Sequence, residues 1–185
     1  LKIKRNELSE IGKNLGSDVP FFFDGGTALG IGRGTEITPF KDFNEKFMLI
    51  VTPPVAVSTV VAFAKLNAPH LTKVSSKRIL KLCSDTTKKL LTRQITPKND
   101  FEKVIFEIEP EIKRVKEKLL ENGAETALMT GSGASVFGIF ENEETRQATL
   151  KALVNELNWR MFAVATVSRD YYREALKDVF EVVSD

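Results

Sequence analysis

From Phe47 onward the chain reads as strand, several helices, strand, strand, helix, strand, which predicts an α+β fold in the split βαβ arrangement of a ferredoxin-like sandwich. Three observations carry that expectation. Apolar runs at residues 47–51, 124–129, 135–140 and 159–167 have strand length and are bounded by proline, glycine or polar clusters. Between them apolar residues return at helical spacing, as in Phe101, Val104, Ile105 and Ile108. Residues 1–45 do not fit this unit. They are expected to be the C-terminal remnant of a separate α+β domain, with a boundary near Asp42-Phe43-Asn44-Glu45 and a second domain over residues 46–185.

In the leading segment Leu8, Ile11 and Leu15 form a helical stripe, and Gly16 stands where a left-handed C-terminal residue would end it. Ser17-Asp18-Val19-Pro20 then predicts a turn or a new helix start, followed by Phe21-Phe22-Phe23 and a glycine-rich run through Gly34. Alternation through Thr27, Leu29 and Ile31 suggests a strand whose glycines admit another backbone closely. A second strand is expected over residues 36–40. The apolar strand at 47–51 is ended by Pro53-Pro54, and helical spacing follows from Ser58 to Leu66 and through Ile79, Leu82 and Leu90. The basic stretch from Lys73 to Lys98 lacks interleaved aromatics and reads as a solvated helix face.

Asn99-Asp100-Phe101-Glu102 has the spacing of a capping box, with Asn99 as cap and Glu102 reaching back to the cap's N–H. Pro110 opens the next helix, Ile112, Val115 and Leu119 face the core, and Asn122-Gly123 ends it. A helix over 143–157 begins with Glu143 and Glu144, where the helix dipole favours anions. The strand at 159–167 and a closing helix over 171–182 complete the chain.

The composition bounds the function. With 185 residues, 42% of them hydrophobic and 28% charged, the chain is one globular domain or one domain with part of another, not a disordered or fibrous protein. Lys and Arg number 27 against 25 Asp and Glu, so there is no basic field of the kind that drives nucleic-acid or membrane-surface binding. Cys83 stands alone, which excludes an internal disulfide, and with only His70 beside it a structural zinc site is not expected. Both residues read as chemically silent. The apolar stretches are interrupted by Pro53, Pro54, Gly131 and Gly133, so neither can span a bilayer. The basic start is followed by polar residues rather than a signal peptide's apolar run, and the expected compartment is the cytoplasm. Residue 1 is Leu, within a helical pattern, so the chain is expected to be the later part of a longer protein.

Two stretches can carry chemistry. In Thr130-Gly131-Ser132-Gly133-Ala134-Ser135 the alternating glycines allow positive φ, so successive N–H groups can converge on an anion and no side chain keeps a phosphate off the backbone. A tight strand connection would use the same residues for geometry alone. The loop is neither a Walker loop nor a Rossmann fingerprint. In Gly16-Ser17-Asp18-Val19-Pro20-Phe21-Phe22-Phe23, Asp18 is either a carboxylate in a partly dry cleft, able to take a hydroxyl proton, or a helix-cap or turn residue.

These two stretches occur together with Gly25-Gly26-Thr27-Ala28, Gly32-Arg33-Gly34, Val57-Ser58-Thr59 and Asn99-Asp100-Phe101-Glu102, in an order that resembles the 4-diphosphocytidyl-2-C-methyl-D-erythritol kinase family of the GHMP kinase superfamily. The resemblance covers nearly the whole chain from Leu8. It implies a GHMP-kinase-like fold and ATP-dependent, Mg²⁺-assisted phosphorylation of the 2-hydroxyl of 4-diphosphocytidyl-2-C-methyl-D-erythritol, a step of non-mevalonate isoprenoid precursor synthesis. On that resemblance Asp18 is the catalytic carboxylate, Thr130, Gly131, Ser132, Gly133 and Ala134 form the loop beside the phosphates, and Thr59 lies near the substrate. No protein metal ligand is expected.

The departures define what is lacking. The family's first motif with a catalytic Lys, its Gly- and Ser-rich ATP loop and the aromatics that hold the cytidine ring have no counterpart here and would lie upstream of Leu1. The residues given are therefore expected to be inactive by themselves. Thr130 replaces the more usual Ser and keeps the hydroxyl. Two rival classes remain open: another GHMP kinase, of the homoserine or mevalonate type, and a non-catalytic ferredoxin-like binding module.

Overall fold

A computed structural model describes residues 5–66, 85–86, 88–90, 92, 94–156 and 158–177. The helix expected through Ile79 and Leu82, together with His70, Cys83 and the closing helix beyond Lys177, lies outside the described residues. The contacts divide the chain into two units, Leu1–Asn44 with Thr166–Asp185, and Glu45–Ala165. Among the described residues no helix is long and apolar enough to cross a membrane.

In the unit spanning residues 45–165, four antiparallel strands, β3 (Met48–Thr52), β4 (Thr126–Met129), β5 (Val136–Ile139) and β6 (Arg160–Val164), lie in the order β4-β5-β3-β6. That is the order of a ferredoxin-like sheet, as the element sequence predicts. Pleating puts Leu49 and Val51 of β3 on one face, both fully buried, beside Ala127 and Met129 of β4 and Val136 of β5. Helix α4 (Pro110–Glu121) covers this face with Ile112, Val115 and Leu119, spaced one turn apart and all at zero exposure. Gly138 lets the helix come close, since a Cβ there would meet Ala124, Phe140 and Leu119 at 3.3–3.4 Å. Helices α2 (Thr59–Leu66), α3 (Glu102–Ile108) and α5 (Glu143–Leu153) add Ala62, Ile105 and Leu153. Asn142 caps α5 by accepting the Thr145 N–H, a cap that supplements the acidic first turn.

One edge of this core is tied by charge. Trp159 donates its indole N–H to Glu111, while the Arg114 guanidinium lies 4.5 Å from the indole centroid and bonds both Glu111 and Glu156. The Arg114 bonds hold the Glu111 carboxyl below its ordinary value against the cost of burial.

The other unit contains α1 (Arg5–Leu15), a 3₁₀ helix (Val19–Phe23), the hairpin β1 (Ala28–Ile31) and β2 (Glu36–Pro39), and α6 (Arg169–Leu176). Helix α1 does not bury the stripe its sequence suggests: Ile11 is 50% and Leu15 76% exposed. Its contact runs through Gly12, where a Cβ would stand 2.6 Å from the Phe23 ring. Gly16 is not left-handed, and α1 ends with the Gly16 N–H bonded to the Gly12 carbonyl.

Helix α6 belongs to this unit, whereas the sequence places it with the sandwich. The reason is a set of specific bonds. Asp42 accepts the Thr27 N–H with Oδ1 at 2.9 Å and the Arg169 N–H with Oδ2 at 2.8 Å, and the Arg169 guanidinium donates to the carbonyls of Thr27 and Phe40. Ser168 caps the helix by accepting the Tyr171 N–H. The Tyr172 hydroxyl donates to the Phe22 carbonyl, and its ring covers Gly25, whose φ of +65° and lack of Cβ are both required there.

The Arg169 and Thr27 N–H bonds, aided by the Arg169 charge, hold the Asp42 carboxyl below its ordinary value against burial. A depressed carboxyl contributes stability fully above its ordinary value of 3.8 and loses it as pH falls through the lower, folded value. Asp42→Ala is expected to cost about 2 kcal/mol locally, the worth of bonds to a charged group. Amide exchange at Thr27 and Arg169 should then accelerate roughly 30-fold at neutral pH, while amides of β3 and β5 keep their rates. Acid titration of the unsubstituted chain should release the same two amides first.

Candidate functional site

Residues 130–135 join β4 to β5. The connection closes at its base, where the Thr130 N–H donates to the Ser135 carbonyl at 2.8 Å, and turns on itself through the Gly133 N–H to the Thr130 carbonyl at 2.9 Å. Gly131 and Gly133 have φ of +52° and +103°, the left-handed conformations that the sequence predicts for them. At the apex the N–H groups of Gly131, Ser132 and Ala134 have no hydrogen-bond partner among the described residues.

The two glycines are not equivalent. A Cβ on Gly131 would have nothing within 4 Å, whereas one on Gly133 would meet Val57, Met129 and Ile112 at 3.1–3.6 Å. Gly133 is thus a packing glycine over the core, and Gly131 alone meets the expectation of a backbone left bare toward open space. Unpaired N–H groups beside a bare backbone can receive an anion.

Hydroxyl pairs flank the loop. Thr52 and Ser135 are 2.8 Å apart, and Thr59, the first residue of α2, lies 3.2 Å from the hydroxyl of Ser132. The structure therefore brings Thr59 and Ser132 together, as two exposed hydroxyls at the mouth of the loop.

The loop is also held by residues that the sequence assigns to another task. Asn99 and Glu102 do not form a capping box. The Asn99 amide donates to the carbonyls of Met129 at 2.9 Å and Gly131 at 2.7 Å, and its oxygen accepts the Phe101 N–H. Glu102 accepts the Met129 N–H at 2.9 Å and pairs with Lys116 at 2.6 Å. The Asn99 oxygen keeps a local bond, but Glu102 turns to partners 14 and 27 residues away instead of reaching back to the Asn99 N–H. No local sequence signal could have shown this.

Asp18 lies in the other unit and is described by itself. It precedes the 3₁₀ helix, whose Pro20 is buried, and its carbonyl accepts the Phe21 N–H at 3.2 Å. Its side chain makes no capping bond and is exposed. Among the described residues the carboxylate has neither a hydrogen-bond nor an ion-pair partner. The cap reading thus loses its support, and a free carboxylate remains on a short, proline-stiffened turn.

Residues 79–158 match the family model described as GHMP kinases C terminal. A 4-diphosphocytidyl-2-C-methyl-D-erythritol kinase of Solibacter usitatus is 35% identical over 171 residues, which cover 90% of this chain and 52% of the relative. One of Syntrophus aciditrophicus is 34% identical over 170 residues, covering 90% and 58%. A crystal structure of 4-(cytidine 5'-diphospho)-2C-methyl-D-erythritol kinase superposes with a TM-score of 0.65 at 26% identity, over 85% of this chain and 56% of that one. The chain spans about half the length of the curated relatives it matches. Sequence match, sheet order and glycine loop agree: residues 79–158 carry a GHMP kinase C-terminal domain, and the chain as a whole is similar to the corresponding part of 4-diphosphocytidyl-2-C-methyl-D-erythritol kinases.

Proposed function

We propose that the protein acts in ATP-dependent phosphorylation of a sugar-alcohol hydroxyl, the 2-hydroxyl of 4-diphosphocytidyl-2-C-methyl-D-erythritol, as a cytoplasmic small-molecule kinase. The observation that carries this reading is the loop apex, where three N–H groups have no partner among the described residues, beside a glycine at which a Cβ would have nothing within 4 Å. The names of the relatives supply the substrate.

Phosphoryl transfer asks for position and charge neutralisation more than for covalent chemistry. The hydroxyl oxygen attacks the γ-phosphorus, the bond to the bridging oxygen of ADP breaks, and negative charge spreads over the phosphoryl oxygens. The N–H groups of Gly131, Ser132 and Ala134 would donate to those oxygens without reorganising, which is where fixed dipoles are most effective. The Thr59 and Ser132 hydroxyls would complete the polar lining. Asp18 would hold the acceptor hydroxyl and receive its proton, a role that needs an ionised carboxylate not already spent on structural bonds.

Among the described residues no cluster of three or more His, Cys, Asp or Glu side chains could hold a metal ion. A hard cation that keeps several waters suits phosphate oxygens, so Mg²⁺ would arrive with the nucleotide. Bound there, it would neutralise phosphate charge.

Asp18→Asn is expected to lower kcat by roughly 10²- to 10⁴-fold in the full-length protein, with the melting temperature unchanged because the carboxylate makes no structural bond among the described residues. Steady-state kinetics and thermal unfolding check it, and near-normal turnover would remove Asp18 from the chemistry. Gly131→Ala probes the loop more cleanly than a change at Gly133, which would disturb the core. The new methyl group would enter the open space, at about 1–2 kcal/mol for a left-handed alanine, and should lower kcat/KM for ATP by about 10²-fold. A panel of alcohol acceptors run on the same preparation identifies the substrate: turnover of homoserine or mevalonate in place of the cytidyl compound would overturn the assignment.

A further inference from the structure

We infer that Asn99 and Glu102 are positioning residues that hold the glycine loop in its anion-receiving conformation. The inference rests on the reading of the loop as a phosphate site and adds what sets its shape.

A peptide plane carries its carbonyl and its N–H in opposite directions. The Gly131 carbonyl and the Ser132 N–H belong to one such plane. Because the Asn99 amide holds the Gly131 carbonyl at 2.7 Å, the Ser132 N–H is turned to the side away from Asn99. Rotation of this plane changes ψ of Gly131 and φ of Ser132, and Gly131, which has no Cβ, offers little resistance to its share of that change. Without the Asn99 bond the plane can turn over and present a carbonyl oxygen where an anion needs a donor.

The same amide donates to the Met129 carbonyl, and Glu102 takes the Met129 N–H, so the last residue of β4 is gripped on both of its main-chain groups. Lys116, 2.6 Å from Glu102, compensates a carboxylate that is only 13% exposed. Asn99 in turn is fixed by its own acceptor bond from the Phe101 N–H, which sets the rotamer so that both amide hydrogens face the loop. One side chain has two donor hydrogens and one acceptor oxygen, and all of them are used.

This hydrogen-bond polarity makes the inference testable by rank. Aspartate has the size of asparagine but only accepts, so at position 99 it would face two carbonyl oxygens with no hydrogen to offer. A side chain that merely filled space would tolerate Asp better than Ala. A donor that orients peptides requires the reverse.

In the full-length protein, the KM for ATP should rise about tenfold in Asn99→Ala and further in Asn99→Asp, with the KM for the alcohol substrate unchanged in both. Calorimetric titration with MgADP should give the same order. Amide exchange in α5 and β6, away from the loop, checks that each variant folds, and Asn99→Ala carries the test by itself if Asn99→Asp does not. An unchanged KM for ATP in Asn99→Ala, or an Asn99→Asp value at or below that of Asn99→Ala, overturns the inference. Gly131→Ala separates the two levels of the argument. If it leaves ATP kinetics untouched, the loop is not the phosphate site. If it impairs them while the position 99 variants do not, the loop stands and the positioning role falls.

Discussion

The central strand of the sandwich is the constraint on which the candidate site depends. Strand β3 is paired on both sides, to β5 and to β6, and its Leu49 and Val51 are wholly buried. A strand bonded on both edges and covered on one face has no freedom to slip, because a one-residue shift would turn both side chains out of the core. Its register fixes that of β5, which in turn fixes β4, down to the final pair of Met129 with Val136. The glycine loop begins one residue beyond that pair. A loop rich in left-handed glycines would have little shape of its own, but its two ends are delivered by the most rigid part of the unit, and the Thr52 and Ser135 hydroxyls, 2.8 Å apart, tie it to β3 as well.

A different solution holds the other unit, whose helices and hairpin are short and whose apolar residues Ile11, Leu15 and Phe22 are largely exposed. Here a carboxylate replaces part of the hydrophobic core. Asp42 bonds the main chain of Thr27, just before β1, and of Arg169, the first residue of α6, and the Arg169 guanidinium returns two bonds to main-chain carbonyls. Both ionic groups are mostly buried and hydrogen-bonded on several atoms, which offsets part of their desolvation cost, while the Arg169 Nε is buried without a hydrogen-bond partner among the described residues. Glycines 25 and 26 make the arrangement possible, since side chains there would collide with Tyr172, Asp42 and Arg169.

How much of this could be read in advance follows from the range of the interactions. Strand order and helix faces in the sandwich were legible because they depend on periodicity and on nearby stops such as Pro53-Pro54, Pro110 and Gly123, and those signals are local. The positive φ of Gly131 and Gly133 was legible for the same reason. The difference between these two glycines was not, because it depends on Val57 and Ile112 arriving from other elements. Glu102 was misread because a local capping rule competes with partners supplied by the fold, and the fold prevailed, whereas Asn99 keeps a local acceptor bond and adds two donated bonds that only the fold could supply. The stripe of α1 was misread because periodicity states only that a face is apolar, not that something covers it. Helix α6 was assigned to the sandwich by sequence adjacency to β6, whereas side-chain and main-chain bonds to residues 127–150 positions earlier decide where it belongs.

The distribution of bonded and unbonded groups separates scaffold from site. In three carboxylates that the fold uses, both oxygens are hydrogen-bonded: Asp42 by two N–H groups, Glu102 by Met129 and Lys116, Glu111 by Arg114 and Trp159. Asp18 is engaged by nothing among the described residues, although it sits on a turn stiffened by Pro20 and flanked by aromatics. Likewise, the main-chain N–H groups around the glycine loop are paired at Met129, Thr130 and Gly133 and have no partner among the described residues at Gly131, Ser132 and Ala134. A turn or strand connection serving geometry alone gains from closing its remaining donors, since each bond adds roughly 1 kcal/mol. Holding a bare backbone open with two dedicated polar side chains, Asn99 and Glu102, is therefore the arrangement expected of a surface kept ready for a ligand that supplies the missing acceptors.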